Sequence, residues 1–314
     1  ASRGLGDVYK RQAIFILIAI PLGSVHVPIE YIFHPQNAPE YMKLIIFNLR
    51  LPRIIMSLLI GMMLASSGAV VQTVFQNPLA DPYIIGISAS ATFGAVIAFV
   101  LGLPDFMYGV IAFFMCLAST FFIFKMAKKG NKINVTTLLI IGVAVSSFLG
   151  AFTSFSMYLI GEDSFKITMW MMGYLGNATW SHIKFITIPL ILSITYFYFK
   201  RHQLDALLSG DEEAHSLGVD VNKLKIKMLA VTALIVAFSV AFSGMIGFVG
   251  LIIPHTIRMI VGPSNSKMLP STILAGGLFL MICDTIGRVA LAPVEIPLGV
   301  ITCLLYTSPS PRDA

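Results

Sequence analysis

Apolar residues arrive along this chain in long runs separated by short polar stretches, and several runs reach the roughly 20 residues needed to cross a hydrocarbon core of about 30 Å. Reading the runs between breakers predicts spans near 13 to 23, 53 to 73, 84 to 102, 107 to 125, 136 to 160, 183 to 199, 226 to 243, 249 to 262 and 268 to 284, with a last one from about 296. The expectation is therefore an all-α, polytopic helical membrane protein with ten transmembrane helices, the first and last of them truncated. Composition agrees. The 314 residues are 57% hydrophobic and 11% charged, whereas a soluble domain carries about a quarter charged residues. A lipid bilayer is the surrounding medium that such a chain requires.

The two ends read differently from the rest. ASRGLGDVYKRQ at 1–12 is polar and leads into an apolar run of about half a spanning helix. At the other end, PLGVIT gives way to CLLYTSPSPRDA at 303–314, whose Ser-Pro-Ser-Pro cannot continue a membrane helix. Both tails look like translated linker, so 13–302 is taken as the transmembrane domain.

Charge sets the orientation. Lys125, Lys128, Lys129 and Lys132 form one cluster; Lys200, Arg201, Lys223, Lys225 and Lys227 a second; Arg258 and Lys267 a third. If the spans alternate, all three fall on one side, and the positive-inside rule makes it the cytoplasm. Glu30, Arg50, Arg53, Asp105, Glu162, Asp163, Arg288 and Glu295 fall on the other. The net charge of +6 thus marks topology and implies no nucleic-acid partner. Cys116, Cys283 and Cys303 are scattered without metal or disulfide spacing and read as packing residues.

Between the second and third runs lies QTVFQNPLADPYIIGIS. Each proline biases the residue before it away from helix, so Asn77-Pro78 and Asp81-Pro82 predict a compact cytoplasmic turn. Small residues recur at four-residue spacing: Gly61 and Ala65; Gly86, Ser90 and Gly94; Gly142, Ser146 and Gly150. Such faces either pack helices closely or line a path through the membrane.

No phosphate loop, nucleophile elbow or HExxH motif occurs, so the chain has no ATP site of that kind and no catalytic signature. The span interiors are almost free of ionisable groups, which argues against a self-powered ion-coupled transporter and against a membrane enzyme using His255 and Asp284. Hydrogen bonding is the better role for those two. The most soluble-looking stretch is 204–224. There Ser209 and Glu212 have capping-box spacing, Gly218 suits a left-handed helix end, and Asp220 can cap the next helix. Two short helices therefore protrude into the cytoplasm, either as an ordered linker or as a docking element.

Six stretches together resemble one family. They are LRLPR at 49–53, GAVVQTVFQNPLADPYIIGIS at 68–88, WMMGYLGNATW at 170–180, GDEEAHSLGV at 210–219, GMIGFVGLIIPHTIRMIVGP at 244–263 and PVEIPLGVIT at 293–302. In order and spacing they resemble the FecCD-type permease subunits of binding-protein-dependent ABC importers for iron-siderophores, haem and cobalamin. The resemblance implies a type II importer permease fold in the bacterial cytoplasmic membrane, a multi-pass subunit that translocates a metal chelate but is not itself an enzyme. Two copies, or a close heterodimer, would surround a central path, with cytoplasmic ATPase subunits below and a substrate-binding protein outside. ATP would be bound by the partner, and this chain would hold no cofactor or metal. Carried onto this sequence, the resemblance assigns Arg50, Arg53 and Arg288 to docking of the binding protein. It assigns Gly210, Asp211, Glu212, Glu213, Ala214, Leu217 and Gly218 to ATPase coupling, Thr136 and Thr137 to a cytoplasmic gate, and Asn77, Pro78, Asp81 and Pro82 to the inner turn.

Overall fold

The computed structural model describes residues 12, 14–23, 25, 27–129 and 132–305. Apart from a two-residue antiparallel ladder, Lys128–Lys129 with Lys132–Ile133, the regular structure is helical. After helical turns at 14–19 and Glu30–Phe33, α1 runs over Glu40–Val74 and passes through a π-helical stretch at Ile45–Arg50. Then come α2 (Ile87–Val100), α3 (Phe106–Ala127), α4 (Val135–Ile160), α5 (Ser164–Met171) and α6 (Trp180–Phe199). Two short helices follow, α7 (Arg201–Leu208) and α8 (Asp211–Ser216), before α9 (Val221–Ser243), α10 (Val249–Val261), α11 (Asn265–Val289) and α12 (Leu298–Leu304).

Each apolar run predicted from sequence coincides with helix, and the runs differ in length. Among the described residues, 6 helical stretches are long and apolar enough to cross a membrane: Glu40–Val74, Phe106–Ala127, Val135–Met171, Trp180–Phe199, Val221–Ser243 and Asn265–Val289. The helices α2 and α10 are shorter, at 14 and 13 residues. The reason is local. A 3-10 turn at Pro82–Ile85 and a left-handed Gly86 delay the start of α2. The irregular segment Gly244–Phe248 precedes α10, and Phe248 has a φ of 68°, which no helix accommodates. Irregular backbone inside an apolar fold must find partners, and Tyr83 Oη donates to the Ile246 carbonyl at 3.3 Å.

Close helix contacts are made where glycine removes the side chain. A Cβ on Gly61 of α1 would collide with the Gly276 carbonyl of α11, and one on Gly94 of α2 would meet Ala112 of α3. Gly142 likewise faces the backbone at Ile84 and Ile85, whereas Gly150 faces open space. The small-residue faces are therefore packing surfaces at Gly61, Gly94 and Gly142. Helix α1 forms the centre, with Met56, Ile60, Met63, Leu64 and Val70 buried against α9, α10 and α11. By contrast α4 buries only Leu138, Gly142 and Thr153 along its 26 residues.

Most of the two tails set aside in the sequence, 1–11 and 306–314, lies outside the described residues. Gln12 is buried and donates from Nε2 to the Leu274 carbonyl, and α12 continues past Thr302 through Cys303 and Leu304.

Candidate coupling and docking sites

At one end of the bundle, expected from the charge pattern to be cytoplasmic, α7 and α8 form a compact hairpin. Leu204, Leu207 and Ala214 are fully buried beneath it and fix its orientation. The expected Ser209–Glu212 capping box does not form. Ser209 closes α7, and Gly210, at a φ of 122°, is the residue before α8 with no side-chain cap. What supports the start of α8 is charge, because Asp211, Glu212 and Glu213 all occupy its first turn beside the positive end of the helix. Gly218 takes the left-handed position, φ 83°, and Asp220 caps α9 by accepting from the Lys223 N–H at 3.1 Å. Hydrogen bonds to the Lys223 side chain and backbone hold the Asp220 carboxyl below its ordinary range.

Three polar contacts clamp this hairpin to the spans. Gln76 Nε2, just beyond α1, donates to the Leu207 carbonyl at 2.7 Å and to Asp211 Oδ1 at 3.3 Å. Lys225 Nζ of α9 meets Asp211 Oδ2 at 2.6 Å. Asp205 Oδ1 accepts from the Asn265 backbone N–H at 2.6 Å and from Asn265 Nδ2 at 2.9 Å, at the start of α11. Gln76 itself sits at a φ of 50°, unusual for a residue with a side chain. Glu212, Glu213 and Leu217 point outward, and Leu217 is 72% exposed.

Beside the hairpin lies a cleft of about 1020 Å³ whose lining includes Asn134, Thr136, Asp211, Glu212, His215 and Lys225. It brings Thr136 together with the coupling residues; Thr137 is exposed but outside the lining. Both threonine N–H groups are capped by Asn134 Oδ1, at 2.8 and 3.2 Å. The inner turn is closed by its own side chains. Asn77 Oδ1 accepts from Leu79 N at 2.9 Å, Asp81 Oδ1 accepts from Tyr83 N at 2.7 Å, and Pro82 starts the 3-10 turn. Pro78 is exposed, while Pro82 is buried and packs against Gly250 of α10.

At the opposite end the three arginines converge on a pocket of about 360 Å³ together with Glu295 and Tyr174. Arg53 Nε donates to Asp284 Oδ1 at 2.9 Å, and its Nη1 reaches both Glu295 oxygens at 3.0 and 2.9 Å. The Tyr174 ring lies 5.5 Å from the same guanidinium. Arg288 Nε donates to Asp284 Oδ2 at 3.1 Å, its Nη1 to the Leu22 carbonyl and its Nη2 to Thr285 Oγ1. Arg50 is spent on backbone, donating to the carbonyls of Ile20 at 2.6 Å, Pro21 at 3.1 Å and Val25. Asp284, expected to serve in hydrogen bonding, thus joins two guanidiniums. Sequence reasoning missed Glu295 and Tyr174 as members of this site. The spacing of Asp284 and Arg288, one turn apart on α11, was the available signal.

Three guanidiniums and two carboxylates leave the pocket one positive charge in excess. Among the described residues, no group of three or more His, Cys, Asp or Glu is placed to hold a metal ion. The arrangement therefore offers polar contact surfaces at both ends.

Comparison with known proteins follows the same lines. The chain is 40% identical over 272 residues to the cobalamin import system permease protein BtuC of Halobacterium salinarum, covering 86% of this chain and 73% of that protein. It is 37% identical to the hemin transport system permease protein HmuU of Yersinia pestis, covering 82% and 79%. Among solved structures, a metal-chelate type ABC transporter in an inward-facing conformation matches with a TM-score of 0.87 at 31% identity, over 97% of this chain and 96% of that one. The FecCD transport family matches residues 12–308, and this chain is a member of that family of membrane transport permeases.

Proposed function

We propose that this chain is one permease subunit of an ATP-driven importer that moves a metal chelate, with an iron-siderophore as the first candidate and haem or cobalamin as the alternatives. The observation that carries the reading is the hairpin α7–α8, anchored to α1, α9 and α11 while Leu217 and two glutamates face the solvent. In this reading Gly210, Asp211, Glu212, Glu213, Ala214, Leu217 and Gly218 form the element that seats in a cytoplasmic ATPase subunit. ATP binding there moves the hairpin, and the clamps at Gln76, Lys225 and Asn265 carry the movement into the spans.

The second permease subunit would pack along α4, whose exposed residues include Ile140, Val143, Phe148 and Phe155. Thr136 and Thr137 at the start of that helix are the proposed cytoplasmic gate, small enough to close against a second copy. Outside, a carboxylate of the substrate-binding protein would answer the excess charge at Arg50, Arg53 and Arg288. The short helices at 14–19, α2, α10 and α12 would complete ten membrane segments in the bacterial inner membrane. The inner turn Asn77–Pro82 has a structural role, setting the angle between α1 and α2.

The test is uptake of a ferric siderophore, haemin and cobalamin, side by side, in cells carrying the permease with its ATPase and binding protein. Uptake of one chelate that requires ATP and is abolished by Leu217→Asp supports the reading. Uptake that persists without the ATPase would overturn it.

A further inference from the structure

A second cavity, of about 640 Å³, lies at the outer end of the bundle, between the first turns of α3 and α6, the end of α9, and α5. Its wall is aromatic, with Tyr108, Trp170 and Phe242, and its mouth is flanked by Phe106 and Phe165, exposed to 72% and 66%. Large apolar groups left open at the ends of membrane-length helices stand at the depth where headgroups meet acyl chains. The cavity is also lined by Asp105 and Lys166, both exposed, and by the half-buried His182. Neither Asp105 nor Lys166 is in an ion pair among the described residues, and the Asp105 carboxylate accepts from the Tyr108 hydroxyl.

We propose that this cavity is a binding site for a phospholipid with an ethanolamine headgroup. One acyl chain lies along the aromatic wall, the phosphate faces Lys166 and the ammonium faces Asp105. The apolar wall alone would accept any chain. Two opposite charges on one rim select a headgroup that carries both signs and still has N–H donors for a carboxylate. An anionic lipid would leave Asp105 facing a like charge, and a choline headgroup would offer it no donor. The site is separate from the arginine pocket, sharing only Tyr174 with it.

The chain has only two tryptophans, which makes the site readable. In the Trp180→Phe variant the emission comes from Trp170 alone. The permease is reconstituted in phosphatidylcholine vesicles containing a minor fraction of a lipid brominated on its acyl chains, the same fraction for every lipid compared. The expected result is quenching by brominated phosphatidylethanolamine at least twofold stronger than by brominated phosphatidylglycerol or phosphatidylcholine. Lys166→Gln and Asp105→Asn, both at exposed positions, should each bring it down to the phosphatidylcholine level. Equal quenching by the three lipids, quenching unaffected by both substitutions, or no quenching above that of soluble bromide would each overturn the proposal.

Discussion

Asp284 is 1% exposed and is shared by two guanidiniums, so its removal should be far more damaging than removal of Glu295, whose side chain is 36% exposed. In Asp284→Ala, Arg53 retains Glu295, but Arg288 loses its one carboxylate and is left with a carbonyl and a hydroxyl. Breaking a buried pair by deleting one partner costs about 3–5 kcal/mol, because the remaining charge stays buried without compensation. The Glu295 interaction is partly solvated, and an exposed pair contributes about 0.2–1 kcal/mol. Asp284→Ala should therefore destabilise at least threefold more than Glu295→Ala, with Asp284→Asn in between, since it keeps an acceptor and loses the charge. Unfolding by dodecyl sulfate titration in mixed micelles, followed by tryptophan emission, gives the three values on one scale. Equal effects of the two alanine variants, or a cost below about 1 kcal/mol for Asp284→Ala, would refute the bridging role.

The double variant Glu212→Lys, Glu213→Lys reverses the exposed charge of α8; co-purification of an ATPase should be lost while membrane insertion is unchanged, and wild-type assembly and transport would sink the coupling assignment. Asp205→Ala strips the acceptor from two Asn265 donors and should cost about 1–3 kcal/mol in the same unfolding titration. Gly276→Ala drives a methyl into Ala65 and the Gly61 backbone, so about 1–3 kcal/mol of stability should go with it. Gly150→Trp meets open space within this chain, so stability of the single chain should hold while cross-linking of two copies through α4 falls; a stability loss as large as that of Gly276→Ala would contradict the packing described.

Much of this was legible in the sequence because the membrane imposes a coarse rule. Long apolar runs must be helices there, and the runs at 107 to 125, 136 to 160 and 183 to 199 lie within α3, α4 and α6. Turn chemistry was equally readable: Asn77, Asp81, Gly86 and Asp220 all act through their own side chains or φ, which are local properties. Three features were not legible, for a common reason. The break at Gly244–Phe248 depends on Tyr83, far off in the chain, to satisfy a carbonyl. Glu295 belongs to the arginine pocket only because the segment between α11 and α12 brings it to Arg53 of α1. The Ser209 cap had the correct spacing, yet α8 starts one residue later, after Gly210. Spacing specifies what a residue can reach along its own helix; it says nothing about which neighbour arrives first.

The two ends of the molecule are joined by the same two helices. Helix α1 carries Arg50 and Arg53 near its outer end and Gln72 near its inner end, with Gln76 just beyond it, and its 35 residues span roughly 50 Å. Helix α11 carries Asp284 and Arg288 outside and Asn265 inside. Along their length they meet at Gly61 and Gly276, where backbone touches backbone and no side chain can adjust to absorb a displacement. Under the proposed function, a pull on the hairpin at Gln76 and Asn265 would act on both rods together and reach the arginines at their other end. Helix α4 is different: within this chain it buries only Leu138, Gly142 and Thr153, so its position would depend on the second subunit proposed to pack along it. Under the proposed function, events at the hairpin would reach the Thr136–Thr137 gate through the junction of a rigid α1–α11 unit with α4, and the contrast between Gly276→Ala and Gly150→Trp separates the two parts.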